Sequence, residues 1–276
     1  KQFALAVSLL ALVVAVVVAA GYSAGGGMQY VEQVRWITPL GAYLRLRAGT
    51  RAGFLLESVE KGRLGRHSLV GAGARLVDFA DAEREVAAGR PVVGYLGYDH
   101  VAVLEPTVPL PEPGPGLPES RFVVAETLVR FDHAASVAEV LAGDPAAVSE
   151  RLAAGATAAL APVASPGPTQ RFPSREAYED GVRRAKDHIR AGDAFQIVLS
   201  QRAERPTEVS ALALYRSLRR INPSPYHFLL ELDGISLVGS SPETLVKLEG
   251  TRASLNPIAG TTSPGAVPRS GVMNRP

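Results

Sequence analysis

Residues 226–241 constrain the fold more than any other stretch of the chain, because they specify how two strands pair. The apolar segments "YHFLLEL" and "ISLVGSS" flank the dipeptide Asp233-Gly234. A type I′ turn requires positive φ at both central residues, and Asp-Gly meets that requirement. The segment therefore predicts an antiparallel hairpin. The next segments, "TLVKLEG" and "TRASLNPIAG", predict two further antiparallel strands that meet at Gly250.

A helix and a strand are predicted upstream of this hairpin. Ser174 can cap a helix and Gly192 can end it. Apolar residues lie between them at helical spacing, namely Tyr178, Val182, Ala185 and Ile189. The segment "AFQIVLSQRA" then alternates as a strand does, which places Phe195 and Ile197 on one face and Gln196 on the other.

A second helix is predicted around residues 209–219, with Leu214 and Leu218 turned inward. It ends before "NPSPY", because two prolines prevent its continuation. In the first half, "GFLLESV" and "PVVGYLGYDH" predict strands, whereas "DAEREVAAG" and "AAVSERLAAGATAAL" predict helices. Strands and helices do not alternate regularly enough to predict a doubly wound sheet.

Segments of unusual composition divide the chain into four parts. Residues 1–28 form an apolar leader, 29–160 a first region, 161–174 a Pro-rich linker and 175–276 a second region. The leader contains eighteen residues, 3–20, in which only Ser8 is polar. That length could span a bilayer as a signal peptide or anchor, and foreign or mistranslated sequence is the alternative.

The charge and cysteine content exclude several classes of function. Lys+Arg 29 against Asp+Glu 27 leaves a net charge of +2, without a dense basic stripe, which argues against a nucleic-acid partner. The chain has no cysteine, hence no disulfide framework, thiolate metal site or cysteine nucleophile. This composition fits a cytoplasmic location, although the apolar leader leaves membrane association open.

Two segments near the C-terminus are candidates for ligand contact. In "NPIAGT", Gly260 and Thr261 place free backbone beside a hydroxyl, which suits a carboxylate or phosphate; an ordinary loop is the alternative. Glu243 follows a strand that ends in small residues, so its carboxylate would be open to a ligand.

Seven segments in register resemble anthranilate synthase component I, within the family of chorismate-using enzymes. They cover residues 37–261 and read "TPLGAYLRLR", "GFLLESVEKGRLGRHSLVG", "PVVGYLGYDH", "RAKDHIRAGDAFQIVLSQR", "LYRSLRRINPSPYHFLLEL", "GSSPETLVKLEG" and "NPIAGT". The resemblance implies an α+β fold of two packed antiparallel β-sheets with outer helices. It identifies residues 29–160 as the N-terminal region and residues 175–276 as the first part of the chorismate-binding domain.

The resemblance also implies a reaction, in which chorismate and ammonia give anthranilate and pyruvate with Mg²⁺ as cofactor. A glutamine amidotransferase subunit, component II, supplies the ammonia in such enzymes. Glu243 matches the glutamate beside the reacting ring, and Gly260 and Thr261 match residues that contact chorismate. Gln196 stands where water-adding relatives carry a lysine base, and Ala259 where aminodeoxychorismate-forming relatives carry a nucleophilic lysine.

A feedback site for tryptophan is implied by two of the matching segments. In the family, the "LLES" serine and the "NPSPY" turn bind this end product together, which points to Glu57, Ser58, Pro225, Tyr226 and His227. Hydroxyl and carboxylate groups suit the polar end of an amino acid, and a tyrosine ring suits an indole. The alternative is that Tyr226 and His227 are ordinary core or surface residues.

The sequence departs from the family pattern after Thr261. Relatives continue with the segment that holds the catalytic histidine and the magnesium ligands, so we expect this chain to be an inactive fragment without metal ligands of its own. Two other interpretations remain open. One is aminodeoxychorismate synthase component I, which Ala259 disfavours. The other is a membrane-tethered, non-catalytic protein that binds tryptophan or a partner subunit.

Overall fold

The structure, a computed structural model, describes residues 37–59, 66–110, 116–154 and 166–255. Their helices are α1 Pro39–Leu46, α2 Phe79–Ala87, α3 Val101–Leu104, α4 Pro145–Ala153, α5 Arg175–Ala191 and α6 Ala211–Ile221, with a 3₁₀ turn at Tyr98–His100. The strands are β1 Ala52–Glu57, β2 His67–Val77, β3 Val92–Leu96, β4 Ser120–Asp132, β5 Val137–Ala142, β6 Gln170–Phe172, β7 Arg202–Glu204, β8 Tyr226–Leu232, β9 Ser236–Ser241, β10 Val246–Glu249 and β11 Arg252–Leu255.

One antiparallel sheet organises this part of the chain. It has seven strands in the order β3-β4-β2-β1-β8-β9, and β5 pairs with β4 beside this path. Strands from both sides of the Pro-rich segment 161–174 share the sheet, because β1 pairs with β8 along its whole length. The α+β class and the antiparallel pairing are confirmed. Within the described ranges, the remaining strands form two short ribbons, β6-β7 and β10-β11.

The core of this sheet contains a close approach between two neighbouring strands. Gly71 of β2 lies opposite Phe54 of β1, and the Phe54 ring covers the glycine so closely that an added Cβ would overlap it. Phe54 is fully buried among Val123, Leu128 and Leu232. Glycine at this position therefore leaves the space that the aromatic ring fills.

Helices α1 and α4 are joined because an arginine of each helix donates to backbone carbonyls at the C-terminal end of the other. Arg151 donates to the backbone carbonyls of Leu46 and Ala48, and Arg45 donates to that of Leu152. Leu46 and Leu152 lie in the last turns of their helices, where carbonyls lack partners within the helix, so the exchange satisfies groups that a helix end leaves open.

The predicted turns and caps are confirmed where the structure describes them. Asp233 and Gly234 adopt φ of 47° and 91°, and β8 and β9 pair on either side of them. Gly250, with φ of 59°, joins β10 to β11. The Ser174 hydroxyl accepts from the Ala177 amide at 3.3 Å, and Gly192 ends α5 in the left-handed region.

The prediction of a strand in "AFQIVLSQRA", which rests on alternation, is wrong over residues 194–201. Regular pairing begins only at Arg202, and Phe195 is fully exposed. A strand requires hydrogen bonds to a neighbouring strand, and no described strand lies alongside these residues. Alternation indicates which side chains would share a face of a strand, but it does not show that a neighbouring strand is present to pair with it.

The second helix is present at α6, but its inward face differs from the predicted one. Leu212 and Tyr215 are buried, whereas Leu214 is 45% exposed and Leu218 is half-buried. Ser210 caps the helix at Ala213, and the contact of Tyr215 with the sheet determines which side faces inward.

None of the described helices is long and apolar enough to cross a membrane. The apolar leader at residues 1–28 lies outside the described ranges.

Candidate functional site

The end of β1 and the start of β8 run side by side and bring the predicted effector residues together. Glu57 pairs with His227 in the sheet, and the Val59 amide donates to the Ser224 carbonyl at 3.1 Å. Residues 57–58 and 225–227 are therefore neighbours, although the chain separates them by more than 160 residues. The long antiparallel pairing of β1 with β8 sets this register.

The Glu57 carboxylate is buried and held by two residues of α6. Arg219 donates to both carboxylate oxygens, at 2.7 and 2.9 Å, and the Tyr215 hydroxyl donates at 2.7 Å. Glu57 is 3% exposed. Burial and the neighbouring Glu57 charge raise the pKa of Tyr215 well above its usual value, so its hydroxyl remains a donor. This arrangement fixes α6 on the sheet through a charge-assisted hydrogen-bond network.

Tyr215 and Arg219 were not among the residues that the sequence singled out. They lie four residues apart and therefore on one face of a helix, which is the pattern that could have indicated a shared partner. That pattern does not identify Glu57 as the partner, because Glu57 lies 158 residues from Tyr215 along the chain.

Three buried polar atoms beside this cluster have no hydrogen-bond partner among the described residues. They are the Ser58 hydroxyl and the two ring nitrogens of His227. His227 is 1% exposed, and Tyr215 meets its ring edge-on with the ring centroids 6.0 Å apart. Buried polar groups normally have partners, so these three atoms are candidates for contact with a polar ligand, with water or with a part of the chain outside the described ranges.

The sheet divides the predicted effector residues between its two faces. Successive side chains of a strand point to opposite faces, so Tyr226 points away from the face that holds His227 and Glu57. Tyr226 shares its face with Phe228, which lines a cavity of about 880 Å³ between α2 and the sheet. Apart from Glu83 and Tyr95, the side chains that line this cavity are apolar.

Two serine side chains tie the turn before β8 to the end of β9. The Ser224 hydroxyl donates to the Ser241 carbonyl and accepts from the Tyr226 amide at 3.2 Å. The Ser241 hydroxyl in turn donates to the Glu243 carbonyl at 2.9 Å. The candidate effector region is thereby connected to the segment that carries the candidate acid.

The predicted catalytic residues lie on the surface of the described chain. Glu243 is exposed after β9, and Gln196 is exposed in the irregular segment after α5. No hydrogen bond joins the two side chains, as far as the described ranges extend. Ala259, Gly260 and Thr261 lie outside those ranges.

The described residues do not provide a magnesium site. They contain no group of three or more acidic, histidine or cysteine side chains placed to hold a metal ion. Mg²⁺ therefore remains an expectation from the resemblance.

Protonation of His227 is expected to destabilise the folded chain. Burial lowers the pKa of His227, and the Arg219 charge acts in the same direction. The Glu57 charge opposes them, as does the nearby Asn222 carbonyl, although no hydrogen bond of good geometry joins that carbonyl to the ring. The folded chain therefore disfavours the proton, and stability is lost as the pH falls below the unfolded value of about 6.5. Urea unfolding at pH 7.5 and 5.5 should show a smaller loss of stability in His227→Leu than in the wild type. Equal losses would contradict this assignment.

Comparison with known proteins places this geometry in context. The profile of a family described as chorismate binding enzyme matches residues 37–271. The chain is similar to anthranilate synthase component 1 from Thermus thermophilus, with 38% identity over 268 residues that cover 83% of this chain and 58% of that protein. It is also similar to the Streptomyces coelicolor protein of the same name, with 38% identity over 270 residues, 82% of this chain and 52% of that protein. The chain thus spans little more than half the length of these relatives.

Solved structures show the same fold at lower sequence identity. Anthranilate synthase component I from Streptococcus pneumoniae superposes with a TM-score of 0.56 at 22% identity, covering 82% of this chain and 60% of that one. The menaquinone-specific isochorismate synthase from Escherichia coli superposes with a TM-score of 0.50 at 18% identity, covering 79% of this chain and 49% of that one. The fold expected from the sequence is therefore confirmed.

Proposed function

The chain belongs to the family of chorismate binding enzymes, and on that premise we propose that it is an anthranilate synthase component 1 with a tryptophan site where β1 meets β8. The reaction converts chorismate and ammonia into anthranilate and pyruvate in tryptophan biosynthesis. A glutamine amidotransferase subunit supplies the ammonia, Mg²⁺ is the cofactor, and the cytoplasm is the location. The names of the relatives support this proposal.

Residue types at two positions support ammonia as the nucleophile. Gln196 cannot take a proton from water, and Ala259 cannot attack the ring, so neither alternative chemistry has its lysine. Glu243 is proposed as the acid that protonates the leaving hydroxyl, since its carboxylate is exposed and free to approach a substrate. Gly260 and Thr261 are proposed to contact chorismate. Formation of isochorismate from chorismate and water, or of aminodeoxychorismate from chorismate and ammonia, would overturn this assignment.

The tryptophan site rests on one observation, which is the set of unpaired polar atoms on Ser58 and His227. An amino acid carries both donors and acceptors, and an indole adds a ring N–H that a neutral imidazole can accept. Glu57 already accepts three hydrogen bonds from Tyr215 and Arg219, which leaves about one lone-pair site for an ammonium group. Pro225 and Tyr226 contribute the turn beside these groups.

Replacing Ser58 with phenylalanine is expected to weaken L-tryptophan binding by about 1 to 3 kcal/mol, or roughly 5- to 150-fold. The larger side chain removes the buried hydroxyl and fills the space beside it. Calorimetric titration of the 276-residue chain with L-tryptophan provides the measurement, and L-phenylalanine tests whether the indole is required.

Ser149→Phe, at an exposed position of α4, is the matched control and should bind tryptophan as the wild type does. Unchanged affinity in Ser58→Phe would remove Ser58 from the site. A wild-type chain that does not bind tryptophan would overturn the proposed effector function.

A further inference from the structure

The Ser58 backbone is held in place by a hydrogen bond to a residue of the neighbouring strand. As β1 leaves the sheet, the Ser58 amide donates to the Ser68 hydroxyl oxygen at 3.1 Å. Ser68 lies in β2 and is 1% exposed. A side chain thus replaces the backbone partner at the point where the ladder ends.

Ser68 is in turn held by a histidine at the end of β4. The Ser68 oxygen and the His133 Nε2 atom are 2.7 Å apart. The His133 amide donates to the Arg66 carbonyl at 2.8 Å, which fixes the backbone that carries the ring. Asp132 accepts from the Arg66 guanidinium and from the amides of Ala134 and Ala135. These hydrogen bonds hold the turn that carries His133.

The hydrogen-bond roles in this chain of groups can be assigned from its chemistry. Ser68 accepts from the Ser58 amide, and its own O–H is free to be donated to the His133 ring at Nε2. This assignment satisfies both the buried hydroxyl and the buried amide. The support engages only the backbone of Ser58, so its side-chain hydroxyl is not used by Ser68.

We propose that Ser68 and His133 are positioning residues of the effector site, which hold the Ser58 backbone so that its hydroxyl faces the ligand. This inference rests on the proposed tryptophan site. Neither residue touches the ligand, and both act through Ser58. Without them, the end of β1 can move, and the Ser58 hydroxyl loses its fixed position relative to His227.

The test combines one measurement that needs no ligand with one that does. Amide hydrogen exchange of Ser58, followed by NMR in the ligand-free chain, should accelerate in Ser68→Ala and in His133→Ala. L-Tryptophan affinity, measured by calorimetry, should fall by about 3- to 10-fold in the same variants, as expected for one lost hydrogen bond. Ser68→Thr keeps the hydroxyl and His133→Gln keeps a polar group near the position of Nε2, so both should restore much of the protection and affinity.

Different outcomes distinguish this inference from the proposed function. Unchanged exchange at Ser58 in Ser68→Ala would overturn the support itself, and faster exchange with unchanged affinity would overturn its positioning role. Failure of the conservative variants to recover affinity would point to a general loss of packing and would also overturn the inference. A wild-type chain that does not bind tryptophan would instead overturn the proposed effector function, whereas Ser58 exchange would still decide whether the support exists.

Discussion

Replacing Arg219 with alanine is expected to lower the free energy of unfolding by about 3 kcal/mol. The change leaves the buried Glu57 carboxylate without the guanidinium that contacts both of its oxygens. Breaking a buried ion pair typically costs 3 to 5 kcal/mol, and the value here lies at the lower end because the Arg219 side chain is 38% exposed. Urea unfolding followed by circular dichroism measures the difference.

Two further variants separate the ion pair from a general effect of truncating α6. Arg220 is exposed on the same helix, and Arg220→Ala should change stability by no more than about 0.5 kcal/mol. Adding Glu57→Gln to Arg219→Ala should recover part of the loss, since no charge is then left unpaired in the core. A loss of similar size in Arg219→Ala and Arg220→Ala would argue against the network.

Replacing Gly71 with alanine is expected to destabilise the chain by about 3 kcal/mol. The new methyl group would overlap the Phe54 ring, which is fully buried in the core of the sheet. Overpacking of a well-packed core typically costs 1 to 3 kcal/mol, and displacement of a whole aromatic ring belongs at the upper end. Thermal and urea unfolding provide the measurement.

Gly181 provides the matched control for this substitution. It lies within α5, where an added Cβ would meet its nearest neighbour, a Leu199 methyl group, at an ordinary 3.6 Å. Gly181→Ala should therefore leave stability unchanged or raise it slightly, because alanine has a higher helix propensity than glycine.

A double variant tests the overlap directly. When Gly71→Ala is combined with Phe54→Leu, the smaller side chain at residue 54 should reduce the clash. The combined loss should then be smaller than the sum of the two single losses. Additive losses would contradict the overlap.

These two substitutions act on different parts of the same sheet, and their consequences for tryptophan binding should differ. Arg219 and Glu57 join α6 to the strand ends that carry Ser58 and His227, so loss of this pair should also weaken the effector site. Gly71 and Phe54 lie further along β1 and β2, at the residues that pair in the sheet interior. Their disruption should lower stability without a specific effect on ligand affinity in the chain that remains folded.

Local signals in the sequence predicted several elements correctly, because the physics behind them acts within a few residues. The Asp233-Gly234 turn, the Ser174 cap and the Gly192 stop each depend on the backbone preferences of one or two residues. The antiparallel class followed from the same turn. The resemblance placed Glu57 and Ser58 with the turn before β8, and the pairing of β1 with β8 brings these segments together.

Other features of the site were decided only by tertiary structure. The strand expected at residues 194–201 is absent because no described neighbour pairs with it, and α6 turns Tyr215 rather than Leu214 toward the sheet. Glu57 meets Arg219 across 162 residues of chain, a partnership that depends on strand register and helix rotation together. The sequence by itself thus determined the turns, caps and strand direction, whereas the buried partners of Glu57 and Ser58 were determined by packing over distances that no local pattern encodes.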